Sequence, residues 1–179
     1  MLSKKSSTYL LATARQAIIH QVRQQSFQPE PVEDKSLNEC SGCFVTIKQN
    51  GCLRGCIGNF QSQQPLYREV AAMAVAAASQ DPRFPPMGEE ELDNFSLEIT
   101  VLSPLERISD TNTIKVGRDG IYIIKGVNRG VLLPQVATEY GWDRTTFLRQ
   151  TCVKAGLAED SWQQPETEIY IFSGEIINE

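Results

Sequence analysis

Apolar residues along the chain follow two rhythms, one of helical period and one of strand period. Leu10, Leu11, Ala14, Ala17, Ile18 and Val22 recur at helical spacing and predict a first helix over about Ser7 to Gln24. The polar stretch Gln28 to Cys40, with two prolines and four acidic residues, predicts a surface loop. The β-prone runs Phe44–Gln49 and Cys52–Gly58 flank Asn50-Gly51, a strong short hairpin signal, because a type I′ turn needs positive φ at both central residues. An uninterrupted ladder then sets Cys56 opposite Val45 and Arg54 opposite Ile47, with Cys52, Arg54 and Cys56 on one strand face. A second helix is predicted over about Pro65 to Gln80, with Leu66, Val70, Ala71, Ala74, Ala77 and Ala78 as a stripe of mostly small residues. Asp81-Pro82 ends it. A short helical turn near Glu89 to Asp93 leads to an alternating strand, Phe95 to Leu102.

The plan then repeats. Gly120–Ile124 and Gly130–Leu133 predict a hairpin around Gly126 to Arg129. Helices are expected near Pro134 to Tyr140 and Asp143 to Ala155, with Asp143 as N-cap and Gly156 at C′, before a closing strand over Glu168 to Ile176. Each half reads hairpin, helix pair, strand, and Arg54-Gly55 is echoed by Arg129-Gly130. The expected fold is α+β: two pseudo-symmetric units about a pseudo-twofold axis, within a single domain whose lobes span about 8–105 and 106–179.

The composition agrees with a globular core. Of 179 residues, 41% are hydrophobic and 22% charged. The net charge of -5 argues against an extended nucleic-acid surface, which needs clustered Lys and Arg. No apolar run reaches the roughly 20 residues of a membrane span, and the N-terminus lacks the apolar core of a secretory signal. With five cysteines and no export signal, a cytoplasmic chain with reduced thiols is expected.

Four stretches carry a resemblance. They are Gly42–Ile47 leading into Leu53-Arg54-Gly55-Cys56-Ile57-Gly58, Ala77-Ala78-Ser79-Gln80-Asp81-Pro82-Arg83-Phe84, Leu97–Ser103, and Leu133-Pro134-Gln135-Val136 with Gly141-Trp142-Asp143. In this order they resemble the AMMECR domain family, whose bacterial and archaeal members are also called AmmeMemoRadiSam system protein A. The resemblance spans about Leu10 to Glu175. It implies two pseudo-symmetric β-α-β units forming a closed or nearly closed sheet with a cleft between them. It also implies association with a Memo-type protein and a radical S-adenosylmethionine protein as partners. It supplies no established reaction. This chain holds neither partner domain, nor the three-cysteine motif of a radical enzyme.

Around the hexapeptide, each candidate has a chemical and a structural reading. Cys56 is either a reactive thiol, favoured by nearby Arg54, or a small buried residue. A conventional Cys-His pair has only one possible base, the sole histidine His20, whose polar flanks place it on the surface. Gly55 and Gly58 are expected to leave backbone open to a ligand. Arg54 either clamps an anion or forms an internal ion pair with Asp81 or Glu98. Asp81 and Arg83 either contact a substrate or anchor a loop in which Phe84 enters the core. Glu98 is a general base or an ion-pair partner on a polar strand face. Gln135 and Trp142 are placed in the cleft by the resemblance, with Trp142 more at home in the core. A zinc site from Cys40, Cys43, Cys52 and Cys56 is set aside, since Cys52 and Cys56 lie about 13 Å apart along one strand. No metal and no cofactor are expected. Two functions follow. One is an enzyme or enzyme subunit binding a small or nucleobase-like substrate, with Cys56 and Glu98 catalytic and Arg54, Gly55, Asp81, Arg83 and Gln135 on the substrate. The other is a non-catalytic partner or adaptor.

Overall fold

Asn50 (φ 51°) and Gly51 (φ 76°) both adopt the left-handed conformation in a computed structural model that describes residues 2–179, and they close the first hairpin as the Asn-Gly signal requires. Its strands are β1 (Cys43–Gln49) and β2 (Cys52–Asn59). Gly51 has open space beside its Cα, so Gly51→Ala tests the backbone alone. The substitution is expected to cost about 1 kcal/mol of left-handed strain in urea unfolding, with an unchanged m-value.

The fold is α+β, and every strand pairing described is antiparallel. The chain divides into two units. One takes the residues up to Leu102 together with Glu175–Glu179, and the other takes Ser103–Gly174. In the first unit, helix α1 (Lys4–Val22) is capped by Ser3, whose hydroxyl accepts the Ser6 N–H. A short α2 (Lys35–Asn38), absent from the sequence reading, is capped by Asp34 within the polar loop. Helix α3 (Leu66–Ser79) follows the hairpin, and β3 (Ser96–Leu102) pairs with the far side of β1. The inward residues Val45, Ile47, Leu97 and Ile99 meet Leu10, Ala14 and Ile18 of α1 and Val70, Ala74 and Ala77 of α3. All ten are essentially inaccessible to solvent.

The second unit contains β4 (Glu106–Ile108), the hairpin β5 (Asp119–Lys125) and β6 (Asn128–Leu132), helices α4 (Pro134–Glu139) and α5 (Arg144–Lys154), and most of β7 (Glu168–Asn178). The β5–β6 turn is tighter than expected: Gly126 alone carries positive φ, and Lys125 already pairs with Asn128. Asp143 caps α5 through the Thr146 N–H, and Gly156 (φ 72°) follows its end. Strand β4, three residues long, is too short to show a period in the sequence. It pairs with one side of β7 while β5 holds the other. Ile121, Ile123, Ile169 and Phe147 form this unit's own core.

The glycines of the two hairpins do equivalent work. A Cβ on Gly55 would overlap the Ala77 carbonyl near the end of α3, and one on Gly130 would overlap Ala155 just past the end of α5. Each glycine lets its strand lie against the last turn of a helix. Among the described residues, no helix is long and apolar enough to cross a membrane.

Candidate functional site

The ladder of the first hairpin slips by one residue. Ile47 pairs with Gly55, yet the next residue, Lys48, pairs with Leu53, so Arg54 is an extra residue in a β-bulge. This overturns the uninterrupted register. Cys56 stands opposite Thr46 rather than Val45, and Cys52 and Cys56 fall on opposite faces. Thr46 in turn stands opposite Glu98 of β3. Cys56, Thr46 and Glu98 therefore form one row across three strands, on the face away from the core.

That row is chemically active in type and half-buried throughout. The Thr46 hydroxyl donates to the Cys56 Sγ at 3.2 Å. Glu98 accepts from the Lys48 Nζ at 2.9 Å, and Lys48 is two residues from Thr46 on the same face. Two strand spacings set the Cys56 and Glu98 backbones about 10 Å apart. The carboxylate thus does not sit beside the thiol; a molecule lying across β1 would meet both. His20 is engaged elsewhere, donating from Nδ1 to the Gln16 carbonyl and lying against Phe27.

The bulge sends Arg54 sideways. Its guanidinium grips Glu91 with two hydrogen bonds, of 2.6 and 3.0 Å, and donates a third to the Pro85 carbonyl at 2.9 Å. Glu91 also accepts the Gly88 N–H. Hydrogen bonding to Arg54 holds the Glu91 carboxyl below its ordinary range, and the same pairing raises Arg54. Arg54 is thus used within the protein, and its ion-pair partner is Glu91, not Asp81 or Glu98. The Gly88–Glu91 run gave no sign of this beyond a short helical turn.

Asp81 and Arg83 work as a substitute strand on the open edge of β2. Asp81, 4% exposed, accepts the Cys56 N–H at 2.8 Å and the Arg83 N–H at 3.1 Å. The Arg83 guanidinium binds both Asp81 oxygens, at 2.9 and 2.7 Å, and reaches the Cys56 carbonyl at 3.4 Å. Both edge groups of Cys56 are thereby satisfied by a loop. Hydrogen bonding from Arg83 holds the Asp81 carboxyl far below the usual carboxylate range, against the opposing effect of burial. Phe84 is half-buried, with the Arg54 and Arg83 guanidinium carbons 5.8 and 5.6 Å from its ring centre. Met87, not Phe84, enters the core from this loop.

Of the sequence-derived candidates, Arg54, Cys56, Asp81 and Arg83 come together, and Glu98 shares the face of Cys56. Gly55 is buried, and helix α3 fills the space beside it that was expected to be open to a ligand. Gln135 lies in the second unit, on α4, where its Oε1 is buried with no hydrogen-bond donor among the described residues. Trp142 packs on the edge of that unit's core and stacks against Tyr140. Only the register ties Thr46 and Lys48 to Cys56 and Glu98, so no motif in the sequence marks them. Cys43 and Cys152 are buried thiols; burial pushes both up in pKa.

Comparison with known proteins gives a consistent result. A family model described as AMMECR1 matches residues 11–177. Protein TK0174 of Thermococcus kodakarensis is 44% identical over 183 residues, covering 96% of this chain and 89% of its own. A protein of Methanothermobacter thermautotrophicus is 41% identical over 186 residues, covering 99% of this chain and 96% of its own. The solved structure of the uncharacterized protein PH0010 from Pyrococcus horikoshii superposes with a TM-score of 0.81 at 39% identity, covering 98% of this chain and 92% of that one.

Proposed function

This chain belongs to the AMMECR1 family, and from that premise we propose that the outer face of its first unit binds and acts on a small polar molecule of nucleobase or nucleoside size. One observation carries the reading: a half-buried thiol, a hydroxyl and an ion-paired carboxylate lie in line across three strands, from Cys56 through Thr46 to Glu98. The row is about 10 Å long, which suits a nucleoside better than a metal ion or a long polymer. Cys56 is the reactive or gating thiol. Glu98, oriented by Lys48, is the group that takes or gives a proton at the other end. Arg54, Asp81 and Arg83 hold the strand edge that carries Cys56. A Memo-type protein and a radical S-adenosylmethionine protein, implied by the sequence resemblance, are the partners in whose company this chemistry would run.

The test uses a Cys40→Ser/Cys52→Ser background, so that Cys56 is the remaining accessible thiol. Iodoacetamide labelling of Cys56 is followed with and without a panel of nucleobases and nucleosides. Protection by at least one of them, lost in Glu98→Gln and in Lys48→Met, is the expected result. Labelling that every compound leaves unchanged would reject the small-molecule reading and favour the adaptor role.

A further inference from the structure

We propose that the second unit carries a separate binding site for a zwitterionic amino acid or dipeptide, in a hollow between the end of β4, the start of β7 and the 3₁₀ turn Glu159–Gln163. The hollow has a volume of about 820 Å³ and is lined among others by Arg107, Thr111, Trp162, Gln163, Gln164 and Glu168. That size lies within the range of small-ligand sites. It exceeds the needs of an amino-acid backbone, leaving room for a side chain or a second residue.

Two features of the lining select the ligand. The first is a loose pair of opposite charges. Arg107 Nη2 and Glu168 Oε1 are 3.9 Å apart, and 63% of the Arg107 side chain is exposed. Glu168 is held from its other oxygen by the Tyr170 hydroxyl at 2.6 Å, and Tyr170 stands opposite Arg107 in the β4–β7 ladder. An exposed pair at that distance contributes little, so parting it costs little. A simple anion entering here would meet Glu168, and a simple cation would meet Arg107. A molecule with a carboxylate and an ammonium a few bonds apart replaces one long contact with two short ones.

The second feature is the Trp162 indole. Its Nε1 is buried and has no acceptor among the described residues, although buried indole N–H groups ordinarily have one. A carboxylate or peptide carbonyl in the hollow supplies one once the wall covering the indole edge gives way. The Trp162 ring packs on the core of the unit, and the residue also lines the hollow.

The chain has two tryptophans, so a Trp142→Phe variant assigns the Trp162 indole resonance in nitrogen–proton correlation spectra. Titration with L-phenylalanine and with glycyl-phenylalanine is expected to shift that resonance saturably in the millimolar range. N-acetyl-phenylalaninamide, which lacks both charges, should bind at least about tenfold more weakly. Arg107→Gln and Glu168→Gln should each weaken binding about tenfold while the rest of the spectrum stays in place. No saturable shift with either zwitterion would overturn the proposal. So would equal binding of the capped amide, or full affinity in both charge variants.

Discussion

Gly55→Ala is expected to remove about 3 kcal/mol or more of stability. The added Cβ would overlap the carbonyl oxygen of Ala77, a backbone atom of α3 that no side-chain rotation can move away. Relief requires the helix to lift from the strand, and Ala74, Ala77 and Ala78 are buried in that contact. Ordinary overpacking costs about 1–3 kcal/mol, where side chains can adjust. Here the clash is backbone on backbone, which places the substitution at or beyond the upper end. For a chain of this size the loss corresponds to a drop of roughly 6–12 °C in Tm. Gly51→Ala, strained in φ but unhindered, gives the comparison: a much smaller loss there assigns the Gly55 effect to packing. A Gly55→Ala loss no larger than that of Gly51→Ala would mean that strand and helix are less tightly apposed than described.

Asp81→Asn should cost about 2–3 kcal/mol at neutral pH, since the carboxylate accepts the Cys56 N–H and closes both oxygens on Arg83 in a nearly solvent-free position. The amide keeps the shape but must turn its NH₂ toward at least one donor. Arg83 itself is half exposed and keeps its hydration, which limits the loss. The effect carries a pH signature. Because the folded-state pKa of Asp81 is lowered, the unfolded chain binds the proton more readily. The contribution is therefore complete above the ordinary carboxylate range, near pH 4, and fades as pH falls below it toward the folded-state value. Denaturation of wild type and Asp81→Asn from neutral pH downward should show two stabilities converging below about pH 4. A constant gap across that range would mean that the carboxylate charge is not what stabilises the edge.

Much of the fold was legible because its signals are local. Asn50-Gly51, the Leu10–Ile18 face, the small-residue stripe of α3 and the Asp143 cap each act within a few residues, and each appears where expected. Strand β4 and helix α2 were not legible, being three and four residues long. The candidate site was half legible. Residue types in the hexapeptide and in Asp81–Arg83 marked the place, but their partners depend on a bulge that leaves no trace in the hydrophobic pattern. Without the one-residue slip, Arg54 would be aimed with Cys56. With it, Arg54 reaches Glu91, and Thr46 takes the place beside the thiol. Both partners lie outside the motif that attracted attention.

The bulge also bears on how far the two hairpins match. In the second hairpin the ladder runs unbroken, and Arg129 pairs normally with Ile124, next to Gly130 opposite Ile123. Gly55 and Gly130 occupy matching places, opposite Ile47 and Ile123. Arg54 and Arg129 do not: the ladder position of Arg129 belongs in the first hairpin to Leu53. Set against the second hairpin, Arg54 is the extra residue. A faithful alignment of the halves needs a gap just before the glycine, and the shared arginine is then a coincidence of spelling.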